Sequence, residues 1–425
     1  MATAKKSPPR AARVKKAATR PLPSTGLGSE WIGKEEEKLV LEVLRRREPF
    51  RYYGHDPNRP PAMAATLERE FRDWMGTRFA LAVSSGTGAL EVALGALGIG
   101  PGDEVILPIW SWISCWTSIV RVGALPVPAE IDETLCLAPG EIKRLHTSRT
   151  KAVMVVHYQG VAADMQPILA EAKRAKIAVI EDCAESPGVL YRGKRVGSLG
   201  DVGTFSFQFH KSITSGEGGM VVMNDPVLYE RAVRMHDLGQ MRPYHQKIVP
   251  PTQAAFCGSQ FRISELQAAV ALAQLRKLDR LRAHCRRLRD RIMKKIGDLP
   301  GLGFRRIPDP DGDTGFETYI LFETTERAKE FCKRLQQYGV PCYPQTGTDC
   351  HYNKEYCAKR LAHAPAASPL QKFRTWPARG YRKEDFPRTE SLVHRLLALP
   401  VGIQFTNADA DYVAEAVCRV HSELF

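Results

Sequence analysis

The segment 205–219, FSFQFHKSITSGEGG, sets two basic side chains, His210 and Lys211, between an aromatic strand and a glycine-rich turn. A lysine held in a partly apolar pocket has its charged form disfavoured by desolvation. Its neutral amine is then a nucleophile toward carbonyl carbon. The alternative is a solvated loop lysine, since lysine is seldom buried. Its neighbours favour chemistry. Gly216, Gly218 and Gly219 permit tight turns and close approach of a ligand. Ser206, five residues before Lys211, can turn a hydroxyl into the same pocket, and Glu217 can accept from backbone N–H groups.

Three further segments carry groups that could act with Lys211. VIEDCAES (179–186) ends an apolar run on Asp182. A carboxylate at the carboxyl end of a parallel strand sits where open α/β sheets bind ligands. There it can keep a pyridine nitrogen protonated and make the ring an electron sink. An ordinary helix N-cap reads equally well at that position. SSGTGAL (84–90) opens a helical pattern, and the N–H groups of Gly86, Thr87 and Gly88 offer a phosphate site at the positive helix end. WSWISCW (110–116) holds three tryptophans, which are either core packing or, for one of them, a flat face for a planar ring. A phosphate cradle, a stacking ring, an acid for a pyridine nitrogen and a reactive lysine together specify pyridoxal 5'-phosphate.

The elements that must hold these groups alternate. Helical spacing of apolar residues runs over 35–48, 63–75 and 88–99. Strands are predicted at 103–108, 123–131, 151–156, 177–182, 201–209 and 218–225, with a helix over 165–176. Short buried strands alternating with helices predict an α/β fold with a mostly parallel sheet covered on both faces. An amphipathic pattern over 261–296 predicts one long helix bridging a large domain to a small one. A strand at 317–323 and a helix at 326–339 with a glycine stop predict a small α+β C-terminal domain. The expected division is a disordered basic tail over 1–28, a cofactor-binding domain over 29–296 and the small domain over 297–425.

Bulk properties exclude several classes. The chain of 425 residues has no apolar run long enough for a transmembrane helix, and residues 1–20 lack the apolar core of a secretory leader. That opening stretch carries seven Lys and Arg and no acid, half of the net charge of +14. It reads as a solvated tail, or else as a contact for nucleic acid or another anionic surface. No nucleic-acid motif appears elsewhere, so no such partner and no membrane partner is expected. The ten cysteines form no C-x-x-C pair, and Cys342, Cys350 and Cys357 with His351 fit no zinc spacing. No metal is expected, and unpaired thiols point to a reducing, cytoplasmic setting.

With those residues in view, the sequence resembles the DegT/DnrJ/EryC1/StrS family of sugar aminotransferases over residues 30–425. The resemblance lies in SSGTGALEVALGALGIGPGDEVILP, EDCAES, GDVGTFSFQFHKSITSGEGGMVVMND and FRISELQAAVALAQLRKLD. It implies the aspartate-aminotransferase-like architecture (fold type I), with a mostly parallel seven-stranded sheet and a smaller C-terminal domain. It implies that Lys211 bonds covalently to pyridoxal 5'-phosphate and shuttles the proton. Asp182 would pair with the ring nitrogen, Trp112 would stack on the ring, and Gly86, Thr87 and Ser206 would cradle the phosphate. The family reaches the phosphate with an asparagine from a neighbouring subunit, so an active site shared within a homodimer is implied. Here Gln260, in GSQFR, stands at that position, one methylene longer. Glu185 stands where the family has His or Gln near the phenolic oxygen of the ring, a carboxylate that would repel that oxygen unless protonated or turned away.

The family's dehydratase branch replaces the lysine by histidine. Counting back from GEGG, Lys211 holds the lysine register and His210 precedes it, which implies a transaminase with His210 as a bystander. FRYYGHD, EIDETLCL, IPDPDGDTGF and HYNK further resemble the subgroup that makes 8-amino-3,8-dideoxy-manno-octulosonate, an amino sugar of lipopolysaccharide. That implies L-glutamate as donor and an 8-keto octulosonate as acceptor, whose carboxylate Arg51 or His351 could meet. A nucleotide-linked keto-sugar or a keto-inositol is the alternative acceptor. A non-enzymatic regulator using the basic tail on nucleic acid is the alternative of another class.

Overall fold

The computed structural model describes residues 20–52, 62–361, 363, 368–373 and 380–425. Of the tail expected over 1–28, the basic stretch 1–19 lies outside the described residues, as does the later part of FRYYGHD. Residues 20–28 are corrected, since Leu22 and Leu27 pack against the core of the second sheet and Arg20 pairs with Asp409. Seven strands make the main sheet: β1 (Phe79–Val83), β2 (Glu104–Pro108), β3 (Leu125–Ala129), β4 (Thr150–Val156), β5 (Ala178–Asp182), β8 (Val202–Ser206) and β9 (Gly219–Met223). Between β5 and β8 lies a two-stranded ribbon, β6 (Leu190–Tyr191) and β7 (Lys194–Arg195). The sheet order is β1-β9-β8-β5-β4-β2-β3. Only β9 runs antiparallel to its two neighbours. The nearly unbroken apolar runs of these strands follow from burial on both faces, as parallel sheets require.

The helices are α1 (Lys34–Arg46), α2 (Met63–Met75), α3 (Gly86–Ala96), α4 (Ser114–Arg121), α5 (Gly140–Leu145), α6 (Met165–Ala175), α7 (Pro226–His236), α8 (Pro243–Ile248) and α9 (Glu265–Ile296). After them come α10 (Thr325–Gln337), α11 (Glu355–Ala358), α12 (Pro369–Lys372), α13 (Pro387–Val393) and α14 (Asn407–Leu424). A second sheet, β10 (Gly303–Phe304), β11 (Glu317–Leu321), β13 (Leu396–Pro400) and β12 (Tyr343–Pro344) in that order, is wholly antiparallel.

The long helix α9 begins where Ser264 and Gln267 form a capping box, four residues later than the apolar pattern alone indicates. Its first half, through Leu278, packs into the core of the main sheet. Its second half, from Leu281 to Ile296, belongs to a separate core with the second sheet, α10 and α14. The tryptophan segment divides in the same way. Trp110 and Trp116 are buried, while Trp112 is exposed. α4 starts within that segment and was hidden by its aromatic content.

Two registers fix the site. Val83, Gly219 and Ser206 align across β1, β9 and β8. Val156, Asp182 and Thr204 align across β4, β5 and β8. The turn into α3, the end of β5 and the loop after β8 therefore leave the same edge of the sheet, the carboxyl edge where such sheets hold ligands.

Arg51 is corrected here. Its side chain is 2% exposed, donates through Nη1 to the Ala82 carbonyl at 2.6 Å and pairs with Glu68. Glu68 in turn accepts from the Ala82 N–H at 2.8 Å. The pair satisfies the open backbone groups of edge strand β1, so Arg51 has no freedom to meet a substrate carboxylate. Burial raises the Glu68 pKa and Arg51 opposes that rise. Replacing Arg51 by Met strands a buried carboxylate and should destabilise the protein by about 3–5 kcal/mol. The double variant with Glu68→Leu should recover most of that loss. Denaturant unfolding of the two variants checks this.

Candidate active site

A cavity of about 580 Å³ opens at the carboxyl edge of the main sheet. One wall is built by the β1–α3 turn. Ser85 caps α3, its Oγ accepting from the Gly88 N–H at 2.9 Å, and Gly86 and Thr87 open the helix toward the cavity. A β-carbon on Gly86 would stand 2.6 Å from Cβ and 2.9 Å from Oγ of Ser206. The absence of a side chain thus lets the helix end approach the end of β8. Free N–H groups, a helix dipole and hydroxyls of Ser85, Thr87 and Ser206 make an anion cradle.

Asp182 terminates β5, is 5% exposed and faces the cavity. It accepts from the Ala184 N–H at 3.0 Å and from the Cys115 thiol at 3.1 Å. Burial raises its pKa, opposed by those two donors and by the positive charge of Lys211. Lys211 stands in the turn after β8, with its N–H on the Gln208 carbonyl at 2.9 Å and its carbonyl facing the Gly28 N–H at 3.3 Å. Its Nζ lies 3.4 Å from Glu185 Oε1, and Glu185 Oε2 takes the Gln159 N–H at 3.4 Å. Trp112, 60% exposed, lines the cavity wall.

Of the predicted site residues, the cavity gathers Gly86, Thr87, Trp112, Asp182, Glu185, Ser206 and Lys211. Gln260 is exposed, pairs through its backbone with Asp237, and does not line this cavity. His351 is corrected. It is fully buried, with Nε2 3.2 Å from both Oγ and the carbonyl of Ser111. Burial pulls its pKa down to about 4, so it is a neutral core imidazole and not a partner for an anion. Cys342 lies against Cys332, sulfur to sulfur at 3.6 Å, away from His351's partners. Among the described residues, His157, Glu181 and Cys183 bring three ligand atoms together. There His157 and the N–H groups of Gly197, Leu199 and Gly200 already occupy the Glu181 oxygens.

The sequence reading missed Tyr158, Gln159, Phe316, Asp349 and Leu27, all of which line the cavity. Tyr158 and Gln159 follow β4 directly, so the strand-end rule that found Asp182 could have found them. Phe316 and Asp349 arrive from beside the second sheet, and Leu27 from the segment before α1, with no local signal.

The donor set fits pyridoxal 5'-phosphate. A buried carboxylate with two modest donors is under-compensated and suits a pyridinium N–H. The cradle suits a phosphate, and Lys211 suits the aldehyde.

The model of the DegT/DnrJ/EryC1/StrS aminotransferase family matches residues 61–418. GDP-perosamine synthase of Caulobacter vibrioides is 45% identical over 216 residues, which is 50% of this chain and 56% of that protein. The match thus spans little more than half of that relative's length. GDP-perosamine synthase of Escherichia coli O157:H7 is 33% identical over 358 residues, 84% of this chain and 90% of that one. An aminotransferase from Psychrobacter cryohalolentis superposes with a TM-score of 0.78 at 26% identity, covering 96% of this chain and 99% of that one. The architecture is the fold type I arrangement expected from the sequence.

Gly86→Ala should push α3 off Ser206 and weaken binding of pyridoxal 5'-phosphate by about tenfold or more, the equivalent of one lost charge-assisted hydrogen bond. Fluorescence titration of the apoprotein measures it, with an unchanged far-ultraviolet spectrum as the control for folding.

Proposed function

The chain belongs to the DegT/DnrJ/EryC1/StrS aminotransferase family, and from that premise we propose that it transfers the amino group of L-glutamate to a keto-sugar with pyridoxal 5'-phosphate as cofactor. The observation that carries the reading is the meeting of Lys211, Asp182 and the Gly86–Ser206 cradle in one cavity. Gly86, Thr87 and Ser206 would hold the phosphate, Asp182 the ring nitrogen, Trp112 the ring face and Lys211 the aldehyde carbon. When bound, the cofactor supplies an electron sink for the carbon that loses its proton. Asp182 would hold the ring nitrogen and so favour its protonated form. Lys211 Nζ takes the proton from the amine-bearing carbon of the donor, and in the second half delivers a proton to the former carbonyl carbon of the acceptor. Glu185, at 3.4 Å, holds the Nζ of Lys211 toward the cavity until the cofactor enters. The products are 2-oxoglutarate and an amino sugar.

The favoured acceptor is a nucleotide-linked keto-sugar. The two curated relatives are both named for a GDP-linked product. The octulosonate reading relied on Arg51 and His351 for the acid group, and both are committed to the core. Of the described residues in the resembling segments, Phe316 of IPDPDGDTGF reaches the cavity wall, and it brings an aromatic ring and not a cation.

The active form we favour is a homodimer, with Gln260 exposed on one subunit and reaching the partner's phosphate cradle. We also read the chain as a large cofactor-binding unit and a small C-terminal unit that divide along α9. Ten free thiols fit a cytoplasmic setting. No helix among the described residues is long and apolar enough to cross a membrane.

Lys211→Ala should reduce glutamate-dependent amination by about 10²–10⁴-fold or more, the usual contribution of a positioned acid–base group. The purified enzyme, supplied with glutamate and a panel of GDP-linked keto-sugars and free 8-keto octulosonate, should aminate the GDP-linked members. Full activity in the Lys211 variant would refute the mechanism. Turnover of the free acid alone would refute the acceptor.

A further inference from the structure

A second chamber, of about 490 Å³, adjoins the catalytic cavity and shares Leu27, Gln159, His210 and Phe316 with it. We propose that this chamber holds the nucleoside of a nucleotide-linked acceptor and that His210 binds the diphosphate between nucleoside and sugar. The assignment rests on the nucleotide-linked reading above.

Continuity is the first argument. A keto-sugar whose carbonyl meets Lys211 must send its remaining substituent out of the catalytic cavity. The second chamber is a lined exit that begins at residues already touching that cavity. Its volume lies within the range of small-molecule sites.

The walls are the second argument. Phe209 is 51% exposed and Tyr343 45% exposed, although both are large rings in a chain that leaves few of its described aromatic residues exposed. Both line this chamber. The hydroxyl of Tyr343 is fixed by donation to Glu317, which holds the ring while its faces stay accessible. Phe209 is braced edge-on against His210, ring centroids 5.2 Å apart at 80°. Braced, exposed aromatic rings in a concave wall are platforms for a flat heteroaromatic base.

Charge is the third. Among the described residues neither chamber is lined by arginine and Lys211, which the cofactor would engage, is the one lysine on their walls, while Glu30 and Glu317 also line the second chamber. His210 lies on the shared wall, is exposed, and its ring nitrogens bond to no described residue. It is the cationic-capable donor at the place where the linking diphosphate would lie. The residue beside the reactive lysine thereby gains a role in specificity, while the chemistry stays with Lys211.

Isothermal titration of the holoenzyme with guanosine, GMP and GDP tests the assignment. GDP should bind more tightly than guanosine. His210→Ala should weaken GDP binding by about tenfold, one charge-assisted hydrogen bond, and change guanosine binding much less. His210→Lys should retain most of the GDP affinity. Phe209→Ala should weaken guanosine and GDP alike by about fivefold or more, the range of base–aromatic stacking. In steady state, His210→Ala should raise KM for the GDP-linked keto-sugar far more than KM for glutamate. The cofactor absorbance and thermal midpoint of each variant report folding. If a GDP-linked keto-sugar is aminated but His210→Ala binds GDP as the wild type does, or Phe209→Ala leaves guanosine binding intact, the subsite is wrong and the function stands. If the wild type binds no GDP and aminates only a free keto-acid, the acceptor reading fails and takes the subsite with it.

Discussion

A carboxylate kept from water at the end of β5 is the constraint around which the site is arranged. Asp182 has only the Ala184 N–H and the Cys115 thiol as donors, and burial pushes its pKa up. A buried charge so lightly compensated is costly unless a cationic partner arrives. Lys211 supplies part of that compensation across the cavity. A protonated ring nitrogen would supply the rest. The sheet holds Asp182 in place through parallel pairing on both sides, to β4 and β8. The same register brings Ser206 and the α3 turn to the opposite end of the cavity.

The electrostatics of the walls contrast with the chain as a whole. The net charge is +14, yet the described walls of the cavity at the carboxyl edge carry Asp182, Glu185, Glu217 and Asp349 against one lysine. Many arginines are spent on structural pairs, such as Arg289 with Asp313 and Arg234 with Glu230. A phosphorylated cofactor and a diphosphate-bearing substrate would therefore draw on helix ends, hydroxyls, His210 and groups of a second subunit. Backbone donors at α3 do this without a desolvated counter-ion. The loop that carries Gln260 runs beside that turn, with the Ser84 N–H on the Phe261 carbonyl at 2.7 Å, so movement of one would be felt by the other.

The sequence was legible where chemistry and strand ends coincide. SSGTGAL, EDCAES and FHKSITSGEGG each lie at or just beyond the end of a strand, so local pattern and site position carry the same information. The helix over 63–75 and the long α9 were visible because their apolar stripes are unbroken. Long-range partners were not visible. Arg51 looked like a free cation because nothing local shows Glu68 and the Ala82 backbone closing on it. His351 looked available because the bridge between Trp110 and Cys350, which draws it into the core, joins segments 240 residues apart. The walls at Leu27, Phe316 and Asp349 depend on the packing of separate segments, which no periodicity encodes. β13 and α14 escaped notice although their apolar residues fill the second core.

Borohydride reduction of the cofactor-loaded protein, followed by peptide mapping, tests the central claim most directly. Pyridoxyl phosphate should be fixed on the peptide carrying Lys211 and on no other lysine in stoichiometric yield. Stoichiometric labelling of a different lysine, or no stable label in protein that has bound pyridoxal 5'-phosphate, would contradict it.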